Sequence, residues 1–439
     1  MTTDYYPEDH GATGNGETLD TDALQAAVDA AAQAGGGRVA LRPGRTYLSG
    51  SVQLRSRVEL HIPAGATLRA SGQFDDFAIT QRGVVQMDEP SSGHMTDLTA
   101  SFVFAADCED VSISGAGVID GNGREYVTAP GEGIHDGAAN RVFTIHFRDV
   151  TGARIRDVRI EDGCLWTVRL SRCDDVVVDA ISIRNDPRMP NSDGIDIDAC
   201  RRVRISNCDI IAGDDAICLK AAIESTRDGR VCEQITVTGC TLSSSSTAIL
   251  CGVECDTAIR DVVFSNCVVH TSNRGLAVSL RERGTMERIR FENITVNSTF
   301  FHERWWGNAE PIYISAAPRH ERVGHVSDIT FRGITARAPR GIFVWSENGG
   351  SVDVSLSDID LHLVDAPHGD ANRGDLRPQT NGGYFTDPLA GVRVHGPSNV
   401  RLDSVSVTTA NADTPSSVIT GGATVDGEVL IRPNRGGDA

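Results

Sequence analysis

The sequence holds 439 residues, of which 40% are hydrophobic, enough for a sizeable core or for two or three ordinary domains. A formal net charge of −19 repels polyanions and argues against nucleic acid as a partner. No apolar run reaches the roughly 18 residues of a membrane-spanning helix, so no membrane partner is expected. Only one of the 41 basic residues is a lysine, Lys220. Salt adaptation and an Arg-favouring, GC-rich genome both account for that bias.

The first segment, Met1-Thr2-Thr3-Asp4-Tyr5-Tyr6, has neither a basic nor an apolar signal region, so a cytoplasmic location is expected. One helix is predicted over residues 21–34. Thr21-Asp22 can cap it, Leu24, Val28, Ala31 and Ala32 share a face, and Gly35-Gly36-Gly37 stops it. No second amphipathic helix follows.

Short β-branched runs then take over and repeat. Ile155, Val178 and Ile205 are equivalent positions, 23 and 27 residues apart, and Phe264 and Phe291 are again 27 apart. A strand-only unit of this period must stack on the next to bury its apolar face. The expected architecture is all-β: a right-handed parallel β-helix forming a single domain over 1–439. Residues 1–40 form its N-terminal cap, and a long polar segment, 366–390, flanks the cleft. Asn207, Asn266 and Asn293 share one repeat position and suit a corner ladder. Asp149, Asp175 and Asp261 are expected to fill turns. Cys173, Cys200, Cys208, Cys240 and Cys267 recur before turns or strands; the odd total of 11 cysteines favours reduced, buried thiols over a disulfide framework.

One longer coil breaks the rhythm at 185–198, and the next carries Gly213-Asp214-Asp215. Asp193 and Asp214 lie 21 residues apart, about one coil, so Asp193, Asp196, Asp214 and Asp215 gather on one face. Clustered carboxylates repel, and at least one gains a raised pKa, as glycoside hydrolysis requires. Spacing alone leaves metal binding and turn chemistry open beside catalysis.

With these motifs the chain resembles glycoside hydrolase family 28, the polygalacturonase family. The resemblance runs from Asp9-His10-Gly11 through Ile119-Asp120-Gly121 and Leu165-Trp166-Thr167 to about residue 350. It includes Asn191-Ser192-Asp193 and an intact Gly213-Asp214-Asp215. It implies an inverting mechanism in which Asp214 is the general acid and Asp193 and Asp215 deprotonate water, with Asn191, Asp196 and Lys220 lining the sugar site. No cofactor and no metal is implied.

Two departures stand out. Ser246 occupies the place of the family's histidine, and Ala277-Val278-Ser279 replaces the segment whose two cations clamp a uronate carboxylate. Ordinary polygalacturonate is therefore not the expected substrate, unless Arg281 or Arg283 supplies the clamp. Trp305 and Trp306 with Glu310 suggest a sugar-stacking platform, while Arg377 and Tyr384 belong to the segment closing over the cleft. His302 and His320 read as structural. The expected partner is an oligosaccharide or polysaccharide; the oligomeric state is not encoded. A Ca²⁺-dependent polysaccharide lyase on this fold and a non-catalytic carbohydrate-binding β-helix are the rival readings.

Overall fold

The structure, a computed structural model, describes residues 3–82, 98–318, 321–347, 349–366, 370, 372–377, 383–386, 388–409 and 416–433. Its backbone contacts divide into two compact units, Met1–Asp214 and Asp215–Ala439.

The first unit opens with the helix Thr21–Gln33, which buries Leu24, Ala27, Val28 and Ala31. These face the first strands, Asp4–Tyr5, Gly37–Ala40 and Val52–Gln53. Capping differs from the expectation. The cap residue is Asp20, and its carboxylate accepts from Thr13 N (2.6 Å) and Gly14 N (3.0 Å) rather than from the helix. Gly36 ends the turn beyond the helix at φ 130°, where a Cβ would sit 2.7 Å from the Arg57 carbonyl oxygen.

Three interior columns then build the unit. Leu60, Ile113, Ile155, Val178 and Ile205 pair rung by rung. A second column runs Leu68, Ile119, Ile160, Ile183 and Ile210. The third runs Val103, Ile145, Val168 and Ile195. All strand pairs in these columns are parallel, and every one of these side chains is buried. The periodic positions of the sequence are thus ladder partners, because alternate residues of each strand face inward.

The second unit repeats the scheme with larger side chains. Phe264, Phe291 and Phe331 are consecutive rungs, with ring centroids 4.8 and 4.5 Å apart. Offset or near-parallel aromatic stacking at this spacing adds to the burial itself. Phe291 and Phe331 stand 40 residues apart because the Trp305 segment is inserted between them.

At the corners, Asp149, Asp175 and Asp261 adopt left-handed conformations (φ 51°, 57° and 56°), as turn residues should. Each binds an arginine from the next coil: Arg172 (2.7 Å), Arg202 (2.7 Å) and Arg288 (2.7 Å). The asparagine ladder is formed only in part. Asn293 Nδ2 donates to Asn266 Oδ1 at 2.7 Å, whereas Asn207 Nδ2 turns to Asp179 Oδ1 at 2.9 Å. All 11 cysteines are unbridged and buried. His302 Nδ1 accepts from Arg304 N in a local turn, and His320 lies outside the described residues.

Candidate active site

In the first unit the long coil 185–194 is folded by its own polar side chains. Asn185 donates to Thr167 Oγ1 (2.7 Å) and to the Ser192 carbonyl (2.9 Å) and accepts from Gly163 N (3.0 Å). Ser192 Oγ donates to the Met189 carbonyl and accepts from Gly213 N. Gly213 must be glycine: a Cβ there would meet the Met189 carbonyl oxygen at 2.3 Å and Ser192 Oγ at 2.5 Å. That close approach fixes the direction in which the chain enters Asp214.

Arg141, which the sequence pattern does not single out, is the buried brace of this coil. It donates to the carbonyls of Cys164 (3.2 Å) and Pro190 (2.6 Å) and to Asn191 Oδ1 (2.7 Å). Burial lowers its pKa, and the nearby charges of Asp214 and Asp193 oppose that shift. Asn191, left-handed at φ 57°, presents its backbone N–H to Asp214 Oδ2 at 3.2 Å. Its side-chain oxygen is occupied by Arg141, while its Nδ2 meets no partner among the described residues.

Asp215 follows Asp214 through the peptide bond and opens the second unit. Its Oδ1 accepts from Ser246 Oγ (2.9 Å) and Thr247 N (3.0 Å). Burial pushes its carboxyl pKa up, while the Lys220 charge and these two donors pull it back toward the ionised form. Lys220 itself pairs with Glu254 at 2.9 Å, with only 7% of its side chain exposed. Burial would raise Glu254, but the charge and hydrogen bond of Lys220, with the charge of Arg281, hold it low.

A carboxylate oxygen of Asp193 and one of Asp214 lie within 4.8 Å of each other, and the two residues are 3% and 4% exposed. Carboxylates this close repel, so ionising one disfavours ionising the other. Asp196, grouped with them on sequence, is fully buried in the strand Ile195–Asp198, opposite Arg169 of the preceding rung.

The remaining expected site residues lie in the second unit and mostly face inward. Trp305 is 3% exposed, too covered to offer a ring face to a sugar; Trp306 is half-buried. Glu310 is buried against Arg274 at 3.2 Å and accepts from Asn308 N at 2.8 Å. Arg377 binds Asp375 (3.0 Å) and the carbonyls of Trp305 (2.8 Å) and Glu303 (2.9 Å). Glu310 and Arg377 thus brace two loops. At the centre of the brace are Arg274, stacked 3.8 Å from the Tyr313 ring centroid, and fully buried Asp375. No periodic signal marks either residue.

Where the family's two cations would stand, Ala277 joins a buried apolar cluster with Leu250, Tyr313 and Phe343. Ser279 is buried and shares a hydrogen with Ser315 Oγ at 2.9 Å. Arg281 is 6% exposed, whereas Arg283 is exposed.

The family model of glycosyl hydrolases family 28 matches residues 53–367. The chain belongs to glycosyl hydrolases family 28. A probable polygalacturonase from Vitis vinifera is 28% identical over 62% of this chain and 55% of its own length. The chain thus spans about half the length of that relative. An endo-polygalacturonase from Pectobacterium carotovorum subsp. carotovorum is 23% identical over 78% of this chain and 84% of its own. Among solved structures, the Yersinia enterocolitica family 28 exopolygalacturonase superposes with TM-score 0.71 at 19% identity, covering 97% of this chain and 79% of that one. The hyperthermoactive exopolygalacturonase of Thermotoga maritima gives 0.63 at 18% identity over 97% and 92%. At these identities the likeness defines the fold, a right-handed parallel β-helix.

Proposed function

We propose that this family 28 chain cleaves a glycosidic bond with Asp193, Asp214 and Asp215, and that ordinary polygalacturonate is not its preferred substrate. The approach of the buried Asp193 and Asp214 carboxylates to within 4.8 Å of each other carries the catalytic part. Asp214, held by the Asn191 N–H, protonates the leaving oxygen. Asp193 and Asp215 orient and deprotonate water, and Lys220 with Ser246 favours the ionised form of Asp215. The family resemblance supports inversion. Spacing does not add to it, since these oxygens are closer than the ~6.5–9.5 Å typical of inverting carboxyl pairs. Proton NMR of the first-formed product reads the anomer directly, and a retained configuration removes this assignment.

The substrate part rests on Ala277 and Ser279. A uronate carboxylate brought there finds an apolar cluster and a paired hydroxyl in place of two cations, a costly desolvation. Charge-assisted hydrogen bonds are worth ~1.5–3 kcal/mol each. Polygalacturonate should therefore lose roughly two to four orders of magnitude in kcat/KM against a well-fitting neutral glycoside. Assays of both classes in high salt test this, with polygalacturonate cleaved fastest as the refuting outcome. Asp214→Asn should lower kcat about 10²–10⁴-fold while substrates with good leaving groups lose less. Wild-type turnover in that variant would end the glycosidase mechanism. A chelator should leave the rate unchanged, and loss of activity on chelation points instead to a cation-dependent lyase.

A further inference from the structure

The first unit carries a second feature that catalysis does not use. One wall of its coils is built by the strands Leu98–Glu109, Val142–Thr151, Val168–Ser171 and Ile195–Asp198, with Val52–Gln53 preceding them. Their inward residues form the Val103 column. Between these lies an outward column that runs Gln53, Phe104, His146, Arg169 and Asp196, rung by rung. Asp196 is three residues from Asp193. Rungs repeat at ~4.8 Å, so His146 stands roughly 10 Å and Phe104 roughly 14 Å from the Asp196 rung.

A cavity of about 270 Å³ opens on this column, lined by Gln53, Thr80, Phe104, Asp107, His146 and Arg148 among others. His146 is 3% exposed; its Nδ1 shares a hydrogen with Ser101 Oγ at 3.1 Å, yet its Nε2 meets no partner among the described residues. A buried polar atom left unsatisfied is costly unless something outside the chain completes it. Burial, with the charges of Arg169 and Arg148, keeps the ring neutral far below the usual histidine range. A neutral imidazole leaves Nε2 either a donor or an acceptor, and a hydroxyl satisfies both.

We propose that this cavity is a sugar subsite, taking one neutral pyranose unit of the substrate several rungs from the bond that is cut. The inference rests on the glycosidase reading and extends it. Phe104 is half-buried, leaving part of its ring to stack against a sugar face. Gln53, His146 and Arg148 supply planar polar groups around it. The charges facing the cavity cancel. Arg148 approaches Asp149 at 3.9 Å, Arg172 holds the same Asp149 at 2.7 Å, Arg169 lies 3.6 Å from Asp198, and exposed Asp107 is among the lining residues. No surplus cation is left for a carboxylate, so a neutral ring fits better than a uronate.

The experiment uses the full chain carrying Asp214→Asn, so that ligands bind without turnover. Calorimetry with neutral oligosaccharides of increasing length measures the gain in affinity from short to long. Arg148→Met and Gln53→Ala change half-exposed side chains; His146→Phe fills the cavity and removes Nε2. Each should reduce the long-over-short gain about tenfold, the worth of one good hydrogen bond. Melting curves identify any variant that is damaged, and the other two then decide. An unchanged gain in the variants, or no length dependence in the parent, overturns the subsite and leaves only a solvent-filled cavity. That result does not touch the glycosidase reading, whose failure is separately visible as full turnover by Asp214→Asn alone.

Discussion

At the scale of single residues, Asp215 is set by a balance. Burial raises its pKa, and the Lys220 charge and the donors Ser246 Oγ and Thr247 N lower it. Ser246 stands where the family has a histidine, and its hydroxyl is spent on Asp215. Removing it leaves a buried carboxylate with one donor fewer, which favours the protonated form. In Ser246→Ala the acidic limb of the kcat/KM profile should move to higher pH by roughly 1–2 units, given ~1.5–3 kcal/mol for a charge-assisted bond and 1.36 kcal/mol per unit. An unmoved limb would detach Ser246 from the ionisation of the site. The three aspartates were readable from two short motifs one coil apart. Arg141 was not, because its partners, Cys164, Pro190 and Asn191, lie 23 to 50 residues away in other coils. An isolated arginine in a sequence with 40 of them carries no local signal.

At the scale of elements, the strands were legible because their inward residues must alternate and repeat. The Ile155–Val178–Ile205 spacing is the register itself. Loops obey no such rule. Trp305, Glu310 and Arg377 look like sugar-site residues in polar, glycine-containing stretches, yet Trp305 is buried, Glu310 pairs with Arg274, and Arg377 pairs with Asp375. The Asp–Arg corner pairs were likewise hidden, since the partners are 23 or 27 residues apart and nothing nearby marks them. Arg377 is the accessible pin of the loop brace. Arg377→Ala should leave the far-ultraviolet circular dichroism unchanged and expose the 373–377 and 383–386 segments to limited proteolysis. The anchoring lost is about 2–3 kcal/mol, as for hydrogen bonds to a charged group. Cleavage at the wild-type rate would show that the brace holds without it.

At the scale of the whole molecule, stability in a solenoid is close to a sum over neighbouring rungs. Phe291 lies between two rings, at 4.8 Å from Phe264 and 4.5 Å from Phe331. Phe291→Ala should cost about 3–5 kcal/mol, the range for a buried aromatic truncated to alanine. Urea denaturation measures it, and a loss below ~1 kcal/mol would mean that the stack relaxes around the gap.

The buried cysteines carry a consequence of a different kind. They are distributed through the coils from Cys108 to Cys267, and none is bridged. Burial pushes Cys164 up to about 11, and Cys251 and Cys255 well above the ordinary thiol range. Only the thiolate reacts, so an intact coil is silent toward alkylating reagents. Each cysteine becomes reactive only when its own coil opens. Pulse alkylation followed by peptide mass mapping would then record the order in which the stack comes apart, a clock with hands already built into successive turns.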